Sequence, residues 1–167
     1  RVKLKDPQKY AGLVSEVQGL KGVQFVQDLH TYFDPIFAWL NAQLPGTVSE
    51  LQAEAELEAR RRQQALFVEP SFATIAGSGA HGAIVHYRAT SATDRLLQDG
   101  ELFLLDSGGQ YRDGTTDVTR TVAIGTPTSA MREHYTRVVK GHIALAAIRF
   151  PAGTTGADLD VLARQHL

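Results

Sequence analysis

The stretch "LFLLDSGGQYRDGTTDVTRTVAIG", Leu102 to Gly125, constrains this chain more than any other. Two runs rich in apolar and β-branched residues flank a cluster of Gly and Asp, the signature of an antiparallel hairpin. Each run carries one acid, Asp106 in the first and Asp117 in the second. Strand side chains alternate faces with a period of two, so the loop decides whether the acids meet. A four-residue loop over Gln110–Asp113 sets Asp106 directly opposite Asp117, with Cβ atoms roughly 4.5–5.5 Å apart. A two-residue turn at Asp113-Gly114 keeps both on one face, offset along a diagonal. A three-residue loop separates them. Gly108 and Gly109 also invite a bulge that would adjust the register.

Like charges directly opposed destabilise a sheet. Such a pair needs a shared proton, a cation or a metal, and two aspartates within reach of the same site suit hard divalent ions. The spacing also fits Asp106 as a residue ending a strand and Asp117 as a solvated one.

Around the hairpin, the segments "FATIAGS" and "AIVHY" read as further strands. Helical patterns lie on either side of this block. Residues 17–43 carry apolar residues at helical spacing, and Pro35 predicts a break or kink near Phe33–Asp34. Pro45-Gly46 marks a turn. In "TVSELQAEAELEARRRQQ", Thr47 and Glu50 have capping-box spacing. The run Arg60-Arg61-Arg62 reads as a solvated helix face, with Glu56→Arg60 and Glu58→Arg62 as i,i+4 pairs. A third helix follows a cap at Thr128 or Ser129, with Met131, Tyr135, Val138, Val139, His142 and Leu145 along one stripe. Thr155 and Asp158 cap the last. Helices and strands in separate runs predict an α+β class with an antiparallel sheet and covering helices.

Composition narrows the function. The chain has 167 residues and a formal net charge of −1, so no global basic field recruits nucleic acid or an anionic membrane. It has no cysteine, which removes disulfides and thiolate metal sites. No apolar run is long enough to span a bilayer. No H-x-x-x-H pattern, P-loop or G-x-S-x-G elbow occurs. Glycines 77, 79 and 82 allow tight turns or close backbone approach. His86 ends an apolar run, where a packed histidine and a catalytic one look alike. His81 reads as exposed and His142 as structural. His30, His134 and His166 carry no spacing signal. The opening "RVKLKDPQKY" and the closing "LDVLARQHL" read as internal segments of a longer protein.

The stretches "RRQQALFVEPSFATIAGSGAHGAIVHYRAT" and "LLDSGGQYRDGTTDVTRTVAIGTPT", followed by "YTRVVKGHIALAA", closely resemble the Xaa-Pro aminopeptidase (aminopeptidase P) family. These are metallopeptidases of the pita-bread fold, and the likeness runs from about Thr47 to the C-terminus. The resemblance implies two divalent metal ions, usually Mn²⁺. Asp106 would bind one metal and Asp117 bridge both. His86 would be catalytic and substrate-binding, helping to hold or protonate the scissile peptide. The reaction implied is removal of the N-terminal residue from peptides with proline second, in a cytoplasmic enzyme that is often a homodimer. Residues 1–167 would be the N-terminal half of a pita-bread catalytic domain, the C-terminal half missing, with 1–16 a candidate linker from a preceding domain. The family's remaining ligands, one His and two Glu, follow later in the chain, so the 167-residue piece is expected to be inactive and to leave a sheet edge uncovered. Ala80-His81 replaces the family's usual Pro-Asn, and Pro35 interrupts what is usually a continuous helix. The competing expectations are a pita-bread module that binds peptide or protein without catalysis, or a creatinase or prolidase. The retained acids argue against the first, and the wording "QYRDGTTDVTRT" against the others.

Overall fold

The structure, a computed structural model, describes residues 30–43 and 45–167. Helix α1 spans His30–Ala42 and α2 spans Glu50–Arg62. Strands β1 (Phe67–Pro70) and β2 (Ile75–Ser78) follow, then a 3-10 helix over Gly79–Ala83. Strands β3 (Glu101–Ser107), β4 (Gly109–Tyr111), β5 (Gly114–Thr115) and β6 (Val118–Ile124) form the hairpin. Helices α3 (Ser129–Ala147) and α4 (Gly156–Arg164) close the order. The expected α+β class with antiparallel pairing is what the chain adopts. The expected linker at 1–16 and the first part of the 17–43 helix lie outside the described residues.

Two antiparallel sheets, ordered β1-β4-β5 and β2-β3-β6, share the hairpin. Its register is unbroken across both: Ser107 faces Val118 and Gln110 faces Thr115. Between the two ladders Thr116 N–H donates to the Gly109 carbonyl at 2.9 Å, and Gly109 N–H donates to Thr116 Oγ1 at 3.0 Å. The hairpin is therefore one long ribbon with its two-residue turn at Arg112-Asp113. Among the described strands β6 has a partner on one side only, so its outer edge is open.

Alternation along β3 separates the two faces. Phe103, Leu105 and Ser107 are buried, while Leu102, Leu104 and Asp106 are half-buried. The buried face packs with Ala76, Val118 and Ile124 against Ile36 and Leu40 of α1 and Ala53 and Leu57 of α2. That packing explains Pro35. No break occurs at Phe33–Asp34; α1 runs through Pro35 without interruption. One missing N–H is outweighed by two core anchors, Ile36 and Leu40, set one helical turn apart.

The cap of α2 is not the expected one. Ser49 is the N-cap, and Gln52 rather than Glu50 completes the box: Gln52 N–H donates to Ser49 Oγ at 3.2 Å, and Ser49 N–H to Gln52 Oε1 at 2.8 Å. Ser49→Ala is expected to lower unfolding free energy by about 1 kcal/mol, read from the urea midpoint at constant m-value. The expected caps at Thr128 and at Thr155 with Asp158 are present.

Arg60 and Arg62 pair with Glu56 and Glu58 as expected. Arg61 does not belong to that solvated face. It continues the buried stripe Glu50, Ala53, Leu57 and donates to Ser107 Oγ, which also bonds Thr74 Oγ1 at 2.6 Å. Burial pulls the Arg61 guanidinium below its ordinary pKa, and the Tyr111 hydroxyl acts in the opposite direction.

Helix α3 packs on α4 where Gly141 meets the Ala163 backbone. The apolar stripe read from the sequence stays largely open, with Tyr135, Val138, Leu145 and His142, expected to be structural, all exposed. Pro127, Met131 and Tyr135 approach Leu102, Thr121 and Ala123, enclosing a cleft of about 310 Å³ on the half-buried sheet face.

Candidate metal centre

Asp106 lies near the end of β3, between Ile75 of β2 and Thr119 of β6. Asp117 precedes β6, two residues before Thr119. Direct opposition of the acids does not occur, and neither does a turn at Asp113-Gly114. The turn at Arg112-Asp113 sets the offset at two residues, so the acids share register parity and one face of the hairpin. Diagonal neighbours of this kind have Cα atoms about 7–8 Å apart. The arrangement removes the cost of direct opposition and gives the two acids the same register parity.

The turn is fixed by contacts that side-chain propensity does not announce. Tyr111 is buried, meets the Phe67 ring edge-on at 5.6 Å, and stands beside Arg61. Thr115 Oγ1 donates to Gln110 Oε1 across the ladder at 2.5 Å.

Asp106 bears the most direct sign of a missing partner. Its Oδ1 atom is buried and makes no hydrogen bond. An unpaired buried carboxylate oxygen is costly, and in a native fold it calls for an ion or a solvent molecule. Asp117 is exposed. A half-buried oxygen donor and a solvated one on the same face fit a hard divalent cation. They do not complete a site. Among the described residues no group of three or more His, Asp and Glu side chains could hold a metal ion.

Gly108 shapes this part of the hairpin. A Cβ there would overlap the Thr116 carbonyl oxygen and Ser71 Oγ and lie 2.9 Å from the Thr116 carbonyl carbon. Gly108→Ala must therefore push back the residue before Asp117. We expect a loss of about 1–3 kcal/mol in stability, with weakened metal binding, checked by thermal unfolding with and without Mn²⁺.

His86 is not at the end of a strand. The expected "AIVHY" strand is replaced by the 3-10 helix and a turn, closed by Ile84 N–H to His81 O at 3.1 Å and Tyr87 N–H to Ile84 O at 3.2 Å. In a strand, residues 81 and 87 would be about 20 Å apart; here their rings stack with centroids 4.4 Å apart. Ile84, Val85 and His86 consequently point outward, and His86 adopts φ 56°, the one positive φ at a non-glycine among the described residues.

His81 is not simply exposed. Its Nδ1 lies 2.9 and 3.0 Å from the two carboxylate oxygens of Glu50. Glu50, fully buried, also accepts from Ser78 N–H at 2.7 Å and the Tyr87 hydroxyl at 3.1 Å. Sequence reasoning took Glu50 for a cap and overlooked Arg61. Both lie on the 50/53/57/61 helical stripe, the signal that could have found them. The glycines act here as close-packing residues: a Cβ on Gly77 would come within 2.9 Å of Gly82 N.

With this geometry in hand, the likenesses to known proteins are informative. Over 134 residues the chain is 52% identical to "Probable Xaa-Pro aminopeptidase P" of Fusarium vanettenii, covering 78% of this chain and 22% of that protein. The crystal structure of X-prolyl aminopeptidase from Caenorhabditis elegans, described as a cytosolic enzyme with a di-nuclear active site, matches with TM-score 0.73 and 38% identity, over 81% of this chain and 22% of that one. Prolidase from Pyrococcus furiosus matches with TM-score 0.68 and 27% identity, over 81% and 39%. The chain spans about a fifth of the length of these two aminopeptidases, and its α+β architecture corresponds to part of their pita-bread fold. The profile described as "Metallopeptidase family M24" matches residues 24–167: the chain belongs to that family.

Proposed function

We propose that the chain is the N-terminal half of the catalytic domain of a metal-dependent Xaa-Pro aminopeptidase. Such an enzyme removes the first residue of a peptide whose second residue is proline. The observation that carries this reading is the unpaired, buried Asp106 Oδ1 on the hairpin face it shares with Asp117. The Xaa-Pro aminopeptidase relatives and the di-nuclear neighbour support it. Asp106 and Asp117 would hold a pair of divalent ions, Mn²⁺ in our reading. When bound, such ions polarise a peptide carbonyl and lower the pKa of a water molecule.

The chain's own residues divide the remaining work. The two aspartates would supply negative charge and oxygen donors, Asp106 from within β3 and Asp117 from the residue that leads into β6. His86, exposed on its turn, would steady the scissile peptide and donate a proton to it. The buried face behind β3 fixes the strand, and through it Asp106.

Two carboxylates are too few ligands for two metals, so the 167 residues by themselves should show no peptidase activity. The complete polypeptide containing this chain, loaded with Mn²⁺, should release the first residue of an Xaa-Pro peptide and spare the same peptide with alanine second. Equal cleavage of both peptides, or cleavage that survives chelation of the metal, would refute the reading. The C. elegans neighbour is described as cytosolic, which supports placing this enzyme in the cytoplasm too. No described helix is long and apolar enough to cross a membrane.

A further inference from the structure

The turn that carries His86 is gripped from behind by groups with no part in metal binding. Tyr87, the next residue, is buried. Its ring stacks on His81 at 4.4 Å with 29° between planes. Its hydroxyl donates to Glu50 Oε2 at 3.1 Å and lies 3.2 Å from Thr93 Oγ1. Burial raises the Tyr87 hydroxyl above its ordinary pKa, and the Glu50 and Asp94 carboxylates add to the rise, so it remains a donor. Glu50 is anchored in turn at the first turn of α2, where Glu50 N–H donates to Arg95 O at 3.0 Å. A carboxylate accepts hydrogen bonds, and the His81 tautomer that complements it carries its proton on Nδ1.

Two fixed points, His81 and Tyr87, thus bracket the five residues between them. With Tyr87 drawn inward to Glu50, the preceding residue must turn outward, and it does so at φ 56°. A residue with a Cβ holds that conformation only when its surroundings over-determine it. Those surroundings are Glu50, His81 and Tyr87.

We propose that Glu50 and His81 are positioning residues for His86. Acting through the Tyr87 ring, they hold the left-handed backbone that aims His86 at a bound peptide. The inference rests on the reading of His86 as the peptide-facing histidine, and it assigns a use to the His81 imidazole that a smaller donor could fill only in part. Asparagine can place an amide N–H near the position of Nδ1, but it offers no ring for Tyr87 to stack on.

The test is a double-mutant cycle in the complete, Mn²⁺-loaded polypeptide. His81→Ala should lower kcat/KM about tenfold, within the coupling range of residues that act through one another. His81→Asn should restore part of the loss. In a His86→Ala background, His81→Ala should cost little more. Losses that simply multiply would overturn the positioning role, whereas a fully active His86→Ala variant would overturn the role of His86 itself. Tyr87→Phe keeps the ring and removes only the hydroxyl bond, so it carries the same cycle if His81→Ala fails to fold. A readout independent of activity is the one-bond Cα–Hα coupling of His86 by NMR. Its left-handed value should be present in the wild type and lost in His81→Ala. The same value in wild type, His81→Ala and Tyr87→Phe would overturn the proposal, whatever the kinetics.

Discussion

Asp117→Asn in the complete, Mn²⁺-loaded polypeptide is expected to lower kcat/KM for an Xaa-Pro peptide by about a thousandfold or more, equivalent to about 4 kcal/mol of transition-state stabilisation. The magnitude follows from what the residue is asked to do. In the proposed site Asp117 would help to hold both ions, so its loss would remove the electrostatic core of the site rather than one contact. Asparagine keeps the size of the side chain and removes its charge, and Asp117 is exposed, so folding should be nearly unaffected. The check is steady-state kinetics together with unfolding of the same preparation. Activity within tenfold of wild type would show that Asp117 is not a ligand.

The second large effect is on stability. Phe103→Ala should cost about 3–5 kcal/mol of unfolding free energy. Phe103 is fully buried in the central strand of its sheet and packs in the core with both α1 and α2. Domains of this kind are stable by only about 5–15 kcal/mol, so the loss takes a large share of the total. It should also reach the site, because Phe103 and Asp106 belong to the same short strand and face opposite sides of it. Denaturant unfolding of wild type and variant measures the first effect. A loss below about 1 kcal/mol would mean that the sheet is not held from that face.

These expectations differ in how far the sequence could carry them. Strand parity was legible, and with it the chance that two acids share a face. Which face is buried was not, because Leu102 and Leu104 are as apolar as Phe103 and Leu105 and the buried Ser107 is polar. Nor was the register. Gly108, Gly109 and Gly114 leave the local sequence indifferent between turns, and the choice is made by Phe67 and Arg61 against Tyr111, contacts 44 and 50 residues away in sequence. Residues 81–87 were misread for the same reason. "AIVHY" has the composition of a strand, but a buried carboxylate from α2 draws His81 and Tyr87 together and coils the chain between them. Pro35 shows the reverse case. A strong local breaker was overruled by Ile36 and Leu40 in the core. Local chemistry predicted elements and caps well at Thr128 and Thr155, where no distant partner intervened.

The central claim is that Asp106 and Asp117 are metal ligands on one face of a rigid hairpin. Its most direct test is the number of Mn²⁺ ions retained per polypeptide, measured by elemental analysis after gel filtration of wild type, Asp106→Asn and Asp117→Asn. The account predicts two ions in the wild type, no more than one in Asp106→Asn, and the greatest loss in Asp117→Asn. Two ions retained by all three proteins would contradict it.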